Sequence, residues 1–526
     1  MIYRFLLFSL SILIFACNSK YDNSHLSIFK YNESNSITSL DPAFSKDKST
    51  NWLCSQIYNQ LVKLDDNLNV IPSIAKRWSV SENGLKYTFL IRDDVFFHNH
   101  INFEDGIGRK VIASDFEFSF NRLINPKLAS TGSWVLNNVD NFFALNDSVF
   151  IINLRNPFPP FLSLLSMQYC SVVPNEIYSN ISNRNDPVGT GPFKFQFWKE
   201  GVKLVLRKNE TYFEKENGLN LPYLDAVSIS FIKDKQSEFL SFLQGNLDFI
   251  SGINSAYTDE ILDVDGNLKS KYSERFIMQK LPFLNTEYLG FLMDDTSEIS
   301  KNRDLRKSIN FAIDRDKMLK FLRNNIGFSA HQSFIPKGMN SFTDSLIGYS
   351  YNLDSSLYYL NKSGIKLEDF KLTLSTTSSY VDLCEFIQSE LNKIGINLKL
   401  DINTASTHRN LVANSKLSFF RGSWIADYPD AENYLSLFYS YNKSPKGPNY
   451  THFDSYNFDR LYELAIKETD ESTRISIYQK LDKIIIREAV IVPLYYDQVV
   501  RFFHKNINNF NSNAQNSLDL TRVSKD

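Results

Sequence analysis

The chain has 526 residues, 43% hydrophobic and 22% charged, with 57 basic and 59 acidic side chains. This composition is globular, since a disordered chain would be less hydrophobic and carry a larger net charge. The net charge of −2 argues against a general nucleic-acid binder, which normally has a basic excess, and the length predicts two or three domains.

The N-terminus predicts a secretory signal peptide over residues 1–16. Arg4 precedes an apolar run over residues 5–15, and the small Ala16 follows it, as in such signals. The run is too short to cross a bilayer, which takes about 20 apolar residues. Residues 14–17 resemble a bacterial lipobox, so we expect Cys17 to be lipidated and residues 17–30 to form a tether. A plain signal peptide with a chance cysteine is the alternative.

Three further cysteines, Cys54, Cys170 and Cys384, follow in the body of the chain. No C-x-x-C spacing occurs, which argues against a zinc ribbon or a thioredoxin-like site. We expect buried thiols that pack as small hydrophobic groups. A Cys54–Cys170 disulfide is the alternative in an oxidising compartment.

Two elements are predicted in the first third of the chain. Apolar residues alternate over 87–91, which indicates a strand with one buried face. Ser114 followed by Glu117 has the form of a capping box. Phe116, Phe120 and Leu123 then recur at helical spacing, so we predict a helix capped by Ser114.

The later chain predicts an α/β domain. Leu305, Ile309 and Ala312 form one helical face, and a further helix begins at residues 314–316. A helix over about 383–394 ends at Gly395 and leads into an alternating strand over 396–402, which favours a partly parallel sheet. A helix over about 472–487 then leads into a strand over 491–496.

Catalytic and cofactor motifs are missing from the sequence. It contains no G-x-S-x-G, H-E-x-x-H, Walker A or G-x-G-x-x-G pattern. His98 and His100 form the only close histidine pair, and we interpret them as part of a solvated turn. We therefore expect a binding protein rather than an enzyme, without metal or cofactor.

Six segments, spread over nearly the whole chain, form an ordered series. They are S-L-D-P at 39–42, A-K-R-W with L-K-Y-T-F-L-I-R-D-D-V-F-F-H at 75–98, A-S-D-F with F-S-F-N-R-L at 113–123, G-T-G-P-F with Trp198 at 189–198, R-D-L-R with A-I-D-R at 303–315, and W-I-A-D-Y-P-D at 424–430. Together they resemble the large solute-binding proteins of bacterial peptide ABC importers, the peptide/nickel family.

The resemblance implies an α/β, two-lobed, hinged fold of the periplasmic-binding-protein type (type II-like) with an extra β-rich domain. The first lobe would be discontinuous, with the extra domain and the second lobe inserted between its parts. The expected bounds are 18–57, 183–283 and 490–526 for the first lobe, 58–182 for the extra domain and 284–489 for the second lobe. Ligand would lie between lobes that close by a hinge motion.

The resemblance also implies the site residues. Asp427 matches the family aspartate that binds a peptide ammonium. Arg421 and Arg323 match basic residues used for the carboxylate end, and Trp424 is expected to line a pocket or to pack in the core. Val381 stands where the family has a further histidine for that end.

The implied function is an extracytoplasmic, lipid-anchored monomer that binds oligopeptides and delivers them to ABC transporter permease subunits. Nucleic acid is not expected as a partner. A receptor of the same fold for a nickel chelate, haem or sugar is the alternative, because fold does not determine ligand. A secreted hydrolase is a further alternative, which the missing nucleophile motif disfavours.

Overall fold

The structure is a computed structural model that describes residues 26–35, 37–179, 185–252, 255–294 and 296–526. The predicted signal peptide, Cys17 and most of the predicted tether lie outside these residues. Within them, no helix has the length and apolar character that a membrane crossing requires.

The described residues contain the following regular elements. The strands are β1 Ile28–Asn32, β2 Val62–Leu64, β3 Val70–Pro72, β4 Ala75–Val80, β5 Lys86–Ile91, β6 Val139–Asn146, β7 Val149–Leu154, β8 Phe193–Lys199, β9 Lys203–Lys208, β10 Lys215–Glu216, β11 Leu219–Asn220, β12 Ala226–Ser230, β13 Phe249–Ser251, β14 Phe276–Phe291, β15 Phe328–Ser329, β16 Leu372–Thr377, β17 Leu398–Asn403, β18 Phe419–Ile425, β19 Ile491–His504, β20 Ile507–Asn508 and β21 Ser524–Lys525. The α-helices are α1 Lys48–Ile57, α2 Ala113–Leu123, α3 Phe161–Leu165, α4 Asn175–Tyr178, α5 Lys235–Leu243, α6 Ser255–Ile261, α7 Ser270–Ser273, α8 Glu298–Lys301, α9 Arg303–Ala312, α10 Arg315–Arg323, α11 Leu353–Ser363, α12 Val381–Asn392, α13 Ala405–Ala413, α14 Glu432–Leu435, α15 Tyr456–Ala465 and α16 Glu471–Arg487.

An eleven-stranded sheet runs through the molecule in the order β17-β16-β18-β14-β19-β13-β1-β12-β9-β8, with β15 attached to β19. The long strands β14 and β19 pair with each other on both sides of a register shift between Pro282 and Thr286. On the side of the shift that contains the start of β14, β19 also pairs with β13. On the side that contains the end of β14, β14 also pairs with β18. These two strands therefore connect two lobes, in agreement with the expected two-lobed α/β fold.

The second lobe contains the predicted helix–glycine–strand unit. Helix α12 ends at Asn392, Gly395 has a φ of 81°, and β17 pairs parallel with β16. A positive φ is open to glycine because it has no Cβ, so the chain reverses there without strain. The predicted partly parallel sheet is confirmed.

A separate four-stranded sheet has the order β4-β5-β7-β6. The predicted strand over 87–91 lies in β5, and Tyr87, Phe89 and Ile91 are buried as its alternation indicated. This sheet is the extra β-rich part of the fold. The exact domain bounds given above stay a prediction.

Helix α2 confirms the predicted helix but not its cap. The helix begins at Ala113, and Ile112, not Ser114, is its N-cap. The Asp115 carboxylate accepts from the Ile112 N–H at 2.9 Å, while Glu117 accepts from the Ala144 N–H at 2.8 Å. The predicted cap is wrong because Asp115 satisfies the earlier amide and Glu117 bonds to the neighbouring sheet.

Two of the six family-like segments meet inside the N-terminal core. The Asp41 side chain is fully buried and forms an ion pair with Arg122 of α2. A second contact, from Arg122 Nη1 to Asp41 Oδ1, is 3.1 Å long, and Asp41 also accepts from the Ala43 N–H at 3.0 Å. Asp41 therefore holds the opening segment against the extra sheet's helix.

The three described cysteines confirm the predicted buried thiols. Cys54, Cys170 and Cys384 are all buried and unbridged. Burial raises the pKa of the Cys54 and Cys170 thiols, which keeps them protonated and unreactive. The alternative Cys54–Cys170 disulfide is not formed.

Candidate ligand-binding site

Strand β18 contains Arg421 and Trp424, two of the predicted site residues. Successive side chains of a strand point to opposite faces, so Arg421 and Trp424 lie on different sides. Leu289 of β14 pairs with Arg421, and Glu287 pairs with Ser423. Glu287 therefore lies diagonally across from Arg421, on the same face of the sheet.

Asp427 follows the end of β18 and is held by an amide. Asn433 Nδ2 lies 3.5 Å from its carboxylate, and Asn433 Oδ1 accepts from Trp424 Nε1 at 2.9 Å. Trp424 itself is half-buried and packs against the core of the second lobe. The Trp424 ring therefore packs against the core, and its N–H orients the Asn433 amide beside Asp427.

The Asp427 carboxylate has an unusual electrostatic setting. Asp427 is exposed, yet the neighbouring protein displaces enough water to raise the pKa of its carboxyl group, and only the Asn433 hydrogen bond opposes this. No basic side chain within the described residues pairs with it. A carboxylate that is partly desolvated and unpaired favours a cation from outside the protein.

Asp427 lies at the junction between the lobes. The next residue, Tyr428, is buried in the hydrophobic cluster of the N-terminal part of the molecule. Burial raises the pKa of Tyr169, and the nearby negative charges of Asp427 and Asp47 raise it further. Residues of three separate chain segments therefore surround the same point.

The N-terminal lobe adds further acidic character at the end of β1. Glu33 is buried, and burial raises its pKa, while a hydrogen bond from Ser49 and the nearby charge of Lys48 act in the opposite direction. Its Oε1 has no hydrogen-bond partner within the described ranges.

Arg421 is buried and already paired. It forms an ion pair with the buried Glu287, and its guanidinium carbon lies 3.2 Å from the centroid of the Tyr380 ring. Asn285 Nδ2 lies 3.2 Å from the other Glu287 oxygen. The charge of Arg421 is thus balanced inside the protein.

Arg323, at the end of α10, has the same kind of arrangement. Its Nη2 lies 2.6 Å from Asp497, its Nη1 donates to Tyr495 Oη at 3.2 Å, and it stacks on the same tyrosine ring at 4.6 Å. Burial raises the pKa of Tyr495, Glu287 raises it further and Arg323 lowers it. The two predicted arginines therefore belong to one cluster.

Sequence reasoning named Asp427, Arg421 and Arg323, which stay predictions, and did not name the residues that contact them in the structure. The missed residues are Glu287, Asp497, Tyr380, Tyr495 and Asn433. Glu287 is the single charged residue of the segment 284–292, and this isolated charge was a local signal of a buried ion pair. Val381 begins helix α12 directly after Tyr380, so the family's histidine position lies beside the Arg421 cluster.

A serine–histidine–aspartate contact elsewhere in the second lobe bears on the hydrolase alternative. His452 Nε2 lies 2.8 Å from Ser415 Oγ, and Nδ1 lies 2.5 Å from Asp294. Nε2 also lies 3.0 Å from the Ser444 carbonyl oxygen. The Ser444 carbonyl oxygen, which can only accept, thus competes with the Ser415 hydroxyl for Nε2, whereas a general base needs that nitrogen free for the serine proton.

A family model described as bacterial extracellular solute-binding proteins, family 5 Middle, matches residues 69–446. This chain belongs to family 5 of these proteins. The expected resemblance is confirmed. Family 5 proteins are binding proteins of ABC importers, and an extracytoplasmic solute-binding role follows from membership.

Relatives of this family 5 chain are named for different ligands. A dipeptide-binding protein, DppE, of Bacillus subtilis is 25% identical, over 92% of this chain and 89% of its own. Heme-binding protein A of Haemophilus influenzae is also 25% identical, over 85% of this chain and 82% of its own. The solved structure of HbpA2 from Haemophilus parasuis has a TM-score of 0.84 at 22% identity, covering 95% of this chain and 100% of that chain.

The structural similarity supports the two-lobed fold. Sequence identity does not indicate the ligand, because relatives of equal identity are named for different ligands. Within the residues that the structure describes, no group of three or more histidine, cysteine or acidic side chains could hold a metal ion. The ligand class of this chain must therefore be inferred from the chemistry of its own site.

Proposed function

We propose that this family 5 protein binds oligopeptides between its lobes and delivers them to the permease subunits of an ABC importer. Lipidation of Cys17 would hold it at the outer side of a membrane as a monomer, with residues 17–30 as the tether. The extracytoplasmic family supports this location. The anchor itself rests on the sequence of residues 14–17.

The observation that carries the proposal is the unpaired carboxylate of Asp427. Desolvation raises the pKa of this carboxyl group, and no basic side chain of the described residues pairs with its charged form. The ammonium of a peptide supplies that partner and donates to the carboxylate as the lobes close.

A peptide also suits the rest of the site. A receptor for many sequences should bind the shared backbone, as strand-like pairing does, and leave side chains in pockets that water can adapt. In this proposal Asp427 binds the ammonium, Trp424 orients Asn433 beside it, and Arg421 and Arg323 lie along the path of the bound chain.

The other ligands of the fold make weaker use of these residues. A neutral sugar has no cation for Asp427. Haem carries carboxylates rather than an ammonium, and in a nickel chelate the ligand nitrogens are bound to the metal, so neither supplies a free ammonium to Asp427. The site therefore favours a ligand with an ammonium group.

Native mass spectrometry of the protein incubated with pooled di- to hexapeptides tests the proposal. We expect intact peptides to be retained, with N-acetylated versions of the same peptides lost from the complex. Cleaved products would indicate a hydrolase instead. Failure to retain any peptide, with retention of haem or a nickel chelate, would replace the peptide by that ligand.

A further inference from the structure

The turn between β2 and β3 holds a leucine in an unfavourable backbone conformation. Leu68 has a φ of 66°, in the left-handed region that bulky residues rarely adopt and that glycine and asparagine adopt more readily. Its N–H donates to the Asp65 carbonyl oxygen at 3.0 Å. The Asp65 carboxylate accepts from the Asn67 and Asn69 N–H groups at 2.9 and 2.8 Å. Local hydrogen bonds therefore order the turn, and none of them needs a leucine at position 68.

The side chain of Leu68 makes a contact that accounts for its presence in the turn. The hairpin belongs to the N-terminal part of the molecule, since Val62 of β2 is buried in the hydrophobic cluster of that part. Leu68, by contrast, is half-buried and packs against the separate hydrophobic cluster of the second lobe. A strained residue persists where the surrounding structure compensates for the strain, and here the compensation is a contact with the other lobe.

A second turn of the N-terminal part also touches the second lobe. Gly84 lies between β4 and β5 and is buried, although turns usually lie on the surface. A Cβ at position 84 would lie 3.4 Å from Pro157 Cβ and 3.6 Å from Thr469 Cγ2, and Thr469 lies in the connection between α15 and α16 of the second lobe. Nearby, burial raises the pKa of Tyr87 of β5 to about 12, and the charge of Arg474 of α16 opposes this. The two lobes therefore meet at this turn as well.

These contacts depend on the relative position of the lobes. A hinge motion that separates the lobes would break the contacts at Leu68 and Gly84, while the hydrophobic cluster of each lobe would remain packed. The contacts join protein atoms to protein atoms. Their free energy therefore favours the closed arrangement equally, whichever ligand lies between the lobes.

We propose that the turns at Leu68 and Gly84 form an interlobe clasp that stabilises the closed receptor and raises its affinity for every ligand by a common factor. Leu68 is a positioning residue of this clasp and does not contact the ligand. The inference rests on the proposed function, in which the ligand binds as the lobes close. It adds that part of the binding free energy comes from the protein alone and does not depend on the sequence of the peptide.

Leu68→Asn tests the clasp, because asparagine tolerates the left-handed backbone and lacks the apolar contact. We expect its midpoint of unfolding in urea to equal or exceed that of the wild type. In calorimetric titrations, its dissociation constants for alanine di- to hexapeptides should all rise by a common factor of about 3 to 10. If the free receptor is already closed, the loss appears instead as a larger radius of gyration of the free variant in small-angle X-ray scattering. Val202→Asn, at the exposed tip of the β8–β9 hairpin, is the matched control and should change none of these quantities.

Thr469→Trp gives a second test from the other lobe, which serves if Leu68→Asn does not fold. Thr469 is exposed, and a ring at this position would block the approach of Gly84 and should reproduce the loss of affinity or of closure. Unchanged affinities together with an unchanged radius of gyration in the folded variants would overturn the clasp.

Two other results would also overturn the clasp. A lower unfolding midpoint of Leu68→Asn with unchanged binding would identify Leu68 as an ordinary core residue, and an effect confined to one peptide would identify it as a ligand contact. Absence of peptide binding by the wild type would refute the proposed function instead. In that case a larger radius of gyration of the variants would still support the clasp, and an unchanged one would overturn it.

Discussion

Replacing Asp427 by asparagine removes the charge on which the proposed recognition of the ligand depends while leaving the shape of the side chain nearly unchanged. Asn433 and Trp424 remain as neighbours, and the second lobe keeps its packing. In the wild type, the carboxylate lacks a cation and has a raised pKa because of desolvation. The variant therefore tests the charge rather than the fold.

The structure sets the expected size of the effect. Truncating one partner of a buried charge pair costs about 2–5 kcal/mol, and solvent access to Asp427 places the loss at the lower end. We expect about 2–3 kcal/mol, which corresponds to a rise in the dissociation constant of about 30- to 150-fold.

The pH dependence provides a second readout. A raised pKa means that Asp427 is protonated at a higher pH than an ordinary aspartate, whose pKa is about 3.9. Peptide affinity of the wild type should therefore fall as pH falls through this raised pKa, and the affinity of Asp427→Asn should not show that step. Only the charged carboxylate attracts the ammonium.

Calorimetric titration of a retained peptide into both proteins measures these effects. Asp369→Asn, which changes an exposed aspartate of the same lobe, is the matched control and should bind as the wild type does. The ligand-free Asp427→Asn protein should unfold at no lower temperature, since an unpaired carboxylate does not stabilise the fold. Unchanged affinity in a folded Asp427→Asn protein would remove this residue from the site.

Three further predictions concern stability and anchoring. Asp41→Ala should lower the free energy of unfolding in urea by about 3–5 kcal/mol, because it leaves the buried Arg122 unpaired; a loss below about 1 kcal/mol would show that the pair contributes little. Burial raises the pKa of Asp482 to about 7, so the native protein holds a proton that the unfolded chain releases near pH 4, and stability should fall as pH rises from about 4 to 7. Asp482→Asn should flatten this slope in urea titrations at several pH values, and an unchanged slope would assign it to other groups. Cys17→Ser should release the protein from membranes on fractionation, whereas a processed variant that still sediments would contradict the lipobox interpretation.

Local periodicity predicted much of the fold. The strand over 87–91, the helix at 113–123 and the helix–glycine–strand unit at 383–402 all form where the apolar pattern placed them. Each depends on residues within a few positions of one another, so neighbouring sequence contains the necessary information. The cap of α2 was predicted at the wrong residue because Asp115, not Glu117, accepts from the amide at the start of the helix, while Glu117 bonds to a distant strand.

The sequence by itself determined the family and the two-lobed α/β fold, since these depend on ordered motifs and local pattern. Only the tertiary structure decided the state of the arginines. Glu287 lies 134 positions from Arg421, and Asp497 lies 174 positions from Arg323. Such ion pairs form because distant strands are brought together in one sheet and because burial leaves each charge in need of a partner.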